Sequence, residues 1–188
     1  MSTDTSPPPL AADPRYDPLA IALHWLLAAL IVGSFGVGLY MTGLPFSPLR
    51  LKVYSWHKWA GVTILALSAL RLLWRLGHPP PALPPGMSRL QLASHRAGHT
   101  LMYLLFFAVP LSGWAYSSGM GMPVAWFGVL PLPDFVAKNH ELAETLKGLH
   151  GTLAWTLIAL VALHIAAVGK HMIIDRDGLL RRMMPGRA

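Results

Sequence analysis

Cysteine is absent from this 188-residue chain. Its absence excludes disulfides, thiolate-bound metals, iron–sulfur clusters held by the chain's own thiolates, and the C-x-x-C-H attachment of covalent haem. Charge is scarce as well. Asp, Glu, Lys and Arg make up 12% of the residues, about half the usual share in soluble domains, and only eight residues are acidic. What fills the chain instead is apolar: 54% hydrophobic residues and a mean hydropathy of +0.47. Against that background nine histidines are many.

The apolar residues fall into four runs, expected as helices over about 19–41, 56–76, 98–117 and 149–173. Each is close to the ~20 residues that cross a bilayer as a helix. Gly33, Gly36, Gly38 and Pro110 would weaken soluble helices but are tolerated in membrane ones. Trp25, Trp56, Trp59, Trp74, Trp114 and Tyr116 gather towards the span ends, as aromatic belts do. The fold class is therefore all-α, an integral membrane four-helix bundle. Three regions are expected: a Pro-rich disordered leader over 1–15, the four-helix domain over 16–175, and a basic tail over 176–188. "GHPPPALPPGMSR" reads as a stiff extended loop, "MPVAWFGVLPLPDF" as an interfacial segment, and "NHELAETLKGLH" as a short helix running into the fourth span.

Lys and Arg set the orientation. Arg15, Arg71, Arg75, Arg89, Arg96, Lys170, Arg176, Arg181, Arg182 and Arg187 fall on one side; Arg50, Lys52, Lys58, Lys138 and Lys147 fall on the other. Ten against five places both termini in the cytoplasm. The net charge of +7 is then a topology signal; the basic residues flank spans rather than line a solvated face, so nucleic acid is not a partner.

This topology gives the histidines depths. His24 lies near the cytoplasmic start of the first span, and His57 at the periplasmic start of the second. His99 stands at the cytoplasmic start of the third, with His95 just outside it. His150 and His164 lie on the fourth span, ~21 Å apart and on roughly the same face. An imidazole buried among apolar side chains needs a partner. At matching depth His150 has His57, while His164 has His24, with His99 as a second choice. Two such pairs suit six-coordinate b-type haem, held by two axial imidazoles without covalent attachment. Zinc fits poorly, because it wants about four ligands including carboxylate or thiolate, and no Asp, Glu or Cys lies in any span.

The segments "YDPLAIALHWL", "WHKWAGVTILALSALRLLWRLGHPPPALP", "GHTLMYLLFFAVPLSGW" and "ELAETLKGLHGTLAWTLIALVALHIAAVGKHMIIDRDGLLRRMMPG" closely resemble the bacterial cytochrome b561 family, over about Tyr16 to Gly186. The resemblance implies a four-helix, di-haem b protein of the inner membrane. It places the axial ligands at His24, His57, His150 and His164, and pairs His24 with His164 and His57 with His150. The chain departs from many relatives at Gly151, where they carry an acidic residue, and at Met172, where they carry a second His.

Other candidates follow from position. Arg71, intramembrane near the cytoplasmic pair, is a candidate for a haem propionate, with Arg75 a weaker one nearer the surface. Lys58 and Lys147 flank the periplasmic histidines and, with Arg50, would suit steering of a small anion. His171 is a candidate donor to a quinone carbonyl. No nucleophile–base pair or phosphate loop is present, which leaves electron transfer. Some relatives are similar to superoxide oxidases, so the expected activity is transfer from a periplasmic donor, superoxide among them, to membrane ubiquinone. The alternative is a membrane anchor that relays electrons for a separate dehydrogenase or hydrogenase.

Overall fold

A computed structural model describes residues 15–83 and 86–186. All of the expected leader except Arg15 lies outside these residues. Four long helices dominate: α1 (Pro18–Thr42), α2 (Pro48–Gly77), α3 (Arg89–Gly119) and α4 (His140–Lys170). All four are long and apolar enough to cross a membrane.

The helix starts are written in local chemistry. Asp17 caps α1, accepting from the Ala20 N–H at 2.9 Å with Pro18 in the first turn; Ser47 and Pro48 do the same for α2. Ser88 and Gln91 form a capping box at the start of α3, and Asn139 caps α4. These caps lie outside the apolar runs, so α2 and α3 begin eight or nine residues earlier than hydropathy alone indicates. His95 and His99 consequently both lie on α3, and His57 sits well inside α2 rather than at its start. The segment from His140 is helical and continuous with the fourth span, as its sequence suggests.

In the bundle α1 packs on α2, α2 on α3 and α3 on α4, while the ring contact of Phe35 with Trp155, 4.9 Å between centroids, bridges α1 and α4. The core is an apolar layer with at least one residue from every helix: Leu27 and Ile31, Ile64, Leu105, and Leu157. Leu157 lies seven residues from both His150 and His164, so this layer separates the two histidine levels. Most other large apolar side chains face outward, as lipid-facing surfaces require.

Each end of the bundle has its own closure. At the His57 end the α3–α4 connection forms a small hairpin, β1 (Ala125–Trp126) against β2 (Leu130–Pro131). Its turn places Phe127 at φ +51°, in the left-handed region, next to Gly128. The hairpin docks on α2: the Trp59 indole N–H donates to the Ala125 carbonyl (2.7 Å) and that of Trp126 to the Thr63 hydroxyl (3.2 Å). At the other end, α4 continues into a π turn (His171–Asp175) and a 3-10 turn (Leu179–Met183).

The basic tail is therefore not a free extension in its described part. Arg182 is buried and donates to the Ala82 carbonyl at 2.6 Å. The Trp25 indole N–H donates to the Met183 carbonyl (2.7 Å), Arg15 reaches the Met184 and Gly186 carbonyls, and the Tyr16 N–H reaches that of Arg182. Arg15 and Tyr16, just before α1, and Trp25 within it thus clamp the last described residues of the chain.

Candidate functional site

Three helices, α1, α2 and α4, bring four histidines into two pairs. On one level His57 (α2) faces His150 (α4), with ring centroids 6.1 Å apart and planes at 85°. On the other, His24 (α1) faces His164 (α4) at 6.4 Å and 66°. Two imidazoles bound to opposite sides of one metal ion, each through a bond of about 2 Å, have centroids about 6 Å apart. Both pairs have that spacing. His99 also touches the His164 ring, at 5.6 Å. That is somewhat close for axial partners, and the 6.4 Å of His24 suits the role better.

The His57–His150 level is built in detail. The Nδ1–H of His57 donates to the Ser34 carbonyl (3.1 Å), and that of His150 to the Val109 carbonyl (3.0 Å). A hydroxyl stands beside each ring: Ser34 Oγ at 3.3 Å and Ser112 Oγ at 3.2 Å. A proton fixed on Nδ1 leaves Nε2 with its lone pair, the form in which imidazole binds a metal. Four residues after each accepting carbonyl stands a glycine. A Cβ at Gly38 would lie 3.2 Å from His57 Cε1, and one at Gly113 only 2.9 Å from His150 Cε1. Each imidazole therefore lies in a slot made by a helix turn without a side chain. Val109 and Ser112 orient this ring with no acidic residue at position 151, where the chain has Gly151.

Beside this pair is a cavity, about 700 Å³ including its open mouth, lined by His57, His150, Gly113 and Pro110 together with Tyr54, Lys58, Trp114 and Tyr116. The Trp114 indole N–H is buried with no hydrogen-bond partner among the described residues. A buried donor left unsatisfied costs about 1–3 kcal/mol, and an anionic group entering the cavity would satisfy it. The residues here therefore fit a largely apolar group with acidic edges and a metal ion, which the imidazoles of His57 and His150 would hold.

At the His24–His164 level Arg71 stands close by on α2. Its Nε–H donates to the Tyr103 hydroxyl at 3.2 Å, leaving its Nη groups without a partner among the described residues. That suits a carboxylate acceptor. Lys147, by contrast, is paired with Glu144 at 3.0 Å on the exposed face of α4, and Lys58 donates to the Met122 carbonyl at 3.1 Å. His171 lies seven residues past His164, in the π turn, with Nδ1 2.6 Å from Asp177 and 3.1 Å from Asp175. These three residues come close enough to surround a cation, but Lys170 already occupies Asp175 at 2.5 Å. The π turn is thus internally neutralised.

Sequence reasoning missed the supports: the carbonyls of Ser34 and Val109, the glycines 38 and 113, and Trp114. The only signal for them was the presence of Ser and Gly within otherwise apolar runs, which fits close helix packing equally well.

The chain is similar to known proteins over most of its length. The chain is 35% identical to cytochrome b561 homolog 2 of Escherichia coli K12 over 171 residues, covering 90% of this chain and 91% of that protein. It is 31% identical to a probable superoxide oxidase, CybB, of Yersinia pestis over 171 residues (91% and 96%). It is 29% identical to a cytochrome b562 of Cereibacter sphaeroides over 186 residues (95% and 100%). The prokaryotic cytochrome b561 family model matches residues 15–186. With four membrane-length helices and that match over nearly all of its length, the chain belongs to the prokaryotic cytochrome b561 family, membrane electron carriers that hold b-type haem.

Proposed function

We propose that the chain is a di-haem b oxidoreductase of the bacterial inner membrane, carrying electrons between a periplasmic donor, superoxide foremost, and membrane ubiquinone. His57 with His150 would hold one haem and His24 with His164 the other. Haem b bound there supplies reversible one-electron iron chemistry. The chain's own part is to fix the imidazole tautomers through the Ser34 and Val109 carbonyls, to exclude water with the docked hairpin, and to neutralise propionates. Trp114 and Lys58 serve that last role at one level and Arg71 at the other. His171, its ring held by Asp177 through Nδ1, is the residue we place beside a quinone. The ten-to-five excess of Lys and Arg puts both termini in the cytoplasm. The hairpin end then faces the periplasm, where Arg50, Lys52 and Lys58 favour a small anion.

The observation that carries this reading is the pair of histidine couples, each at axial spacing, on either side of one apolar layer. The relatedness to a probable superoxide oxidase supports the donor.

The test is a reduced-minus-oxidised spectrum of the detergent-purified protein, with haem quantified per chain, before and after superoxide and then a short-chain ubiquinone. Two haems, reduced by superoxide and reoxidised by quinone, are expected. Two haems that superoxide leaves oxidised would identify a relay subunit for another enzyme, and one haem or none would overturn the assignment of the histidine pairs.

A further inference from the structure

A second cavity, about 1370 Å³ including its open mouth, lies between α2 and α3 beneath the proline-rich connection, at the end that carries both termini. Its polar wall carries two arginines, Arg75 on α2 and Arg96 on α3, with the imidazoles of His95 and His99 beside them. Among the described residues no carboxylate lines it. Arg75 rests over the Tyr103 ring at 5.8 Å, and neither it nor Arg96 has an ion-pair partner among the described residues. Deeper along α3 the lining turns apolar, with Leu104 and Phe107. Leu104 is 62% exposed, so the cavity opens to the side as well as to the aqueous face.

Two guanidinium groups with no counter-ion among the described residues, placed at the membrane boundary above an apolar wall, complement an amphiphile with an anionic head. Basic pockets between membrane helices take phospholipid head groups for this reason, and a guanidinium binds phosphate oxygens in a two-pronged geometry. Arg71, one helical turn deeper than Arg75 and tied to Tyr103, is the cation that belongs to the His24–His164 level. A quinone head is neutral and does not call for two unpaired cations. We propose that this cavity binds the phosphate head group of an anionic phospholipid, held between Arg75 and Arg96, with an acyl chain along Leu104 and Phe107. In the proposed orientation this is a lipid of the cytoplasmic leaflet. Its head would sit against His99, whose ring touches that of His164.

The experiment is native mass spectrometry of the haem-loaded protein released from nanodiscs of equimolar phosphatidylglycerol and phosphatidylcholine. One phosphatidylglycerol per chain should be retained over phosphatidylcholine. The R75Q/R96Q double variant should retain it about 30-fold less tightly, from the loss of two cations at the membrane surface. Circular dichroism and the Soret band report whether the variant is folded and loaded. Displacement of the lipid by inorganic phosphate alone would reassign the site to free phosphate and overturn the lipid. Loss of haem with no change in lipid would show that the arginines serve a propionate. Equal retention of both lipids by the unmodified chain overturns the proposal even if the variant does not fold.

Discussion

Replacing Gly113 by alanine tests the imidazole slots directly. The added Cβ would lie 2.9 Å from His150 Cε1, 3.1 Å from Nδ1 and 3.5 Å from Nε2. Comfortable carbon contacts begin near 3.5 Å, so the ring has to retreat by roughly 0.6 Å. Its hydrogen-bond acceptor, the Val109 carbonyl at 3.0 Å, lies on the same helix as Gly113. A retreat from α3 therefore stretches that bond to roughly 3.6 Å, where it no longer counts as one. Overpacking of this kind costs about 1–3 kcal/mol, and losing the support of a metal-bound imidazole costs about 10–100-fold in affinity. Against this, alanine in a helix is about 1 kcal/mol better than glycine. The balance is a folded protein that holds haem weakly at the His57–His150 level. Haem per chain, measured by pyridine haemochromogen after size-exclusion chromatography, should fall towards one. Gly151→Ala, which meets nothing within 4 Å, should retain both haems and melt no lower than the unmodified chain; Gly38→Ala, at 3.2 Å, should fall between. If Gly113→Ala keeps a full complement of haem and melts at or above the unmodified temperature, the slot does not constrain the ring and the reasoning fails.

Asp17 caps α1 and accepts from the Trp74 indole at 3.0 Å, so Asp17→Ala should lower stability by about 1 kcal/mol in a thermal melt. Partial burial raises the Asp17 pKa, but the Ala20 and Trp74 hydrogen bonds and nearby His78 outweigh it, and the net shift is downward. Its stabilisation is accordingly complete above the ordinary carboxylate pKa and is lost as pH falls through the lowered folded value; Asp17→Asn should flatten that acid limb. Arg182→Ala removes a buried charged donor from the Ala82 carbonyl, a loss of about 1.5–3 kcal/mol. Trypsin should then cut at Arg176 and Arg181 faster while the helices stay intact. Trp59→Phe deletes the N–H bond to Ala125, and amide hydrogen exchange over 122–132 should rise without a matching rise in α2.

The histidine pairs were legible because helix rise and hydropathy give depth, and depth limits the choice of partners. His164 shows the limit of that argument. His24 and His99 share a level; the family resemblance and the separation of the rings, 6.4 Å against 5.6 Å, favour His24. The early starts of α2 and α3 were encoded in Ser47-Pro48 and in Ser88 with Gln91, signals that a search by apolarity passes over. The supports at Ser34 and Val109 use backbone carbonyls, which every residue has, so no side-chain pattern announces them. Gly38 and Gly113 look like any small residue in a membrane span until the facing helix brings an imidazole against them. The hairpin and the clamped tail depend on contacts between segments far apart in the chain, such as Trp25 with Met183 and Arg182 with Ala82.

The apolar layer of Leu27, Ile31, Ile64, Leu105 and Leu157 has an electrical meaning. None of its side chains can take up or release a proton, so nothing in it lets a proton accompany an electron from one histidine level to the other. Charge crossing it is thus uncompensated. Each elementary charge carried across a full bilayer exchanges about 2.3 kcal/mol with the field per 100 mV. Electrons moving from the hairpin end to the terminal end, with the interior negative, climb that field and add to it; moving the other way they discharge it. If the two levels exchange electrons as proposed, turnover depends on membrane voltage, and in proteoliposomes its rate would follow an imposed potential.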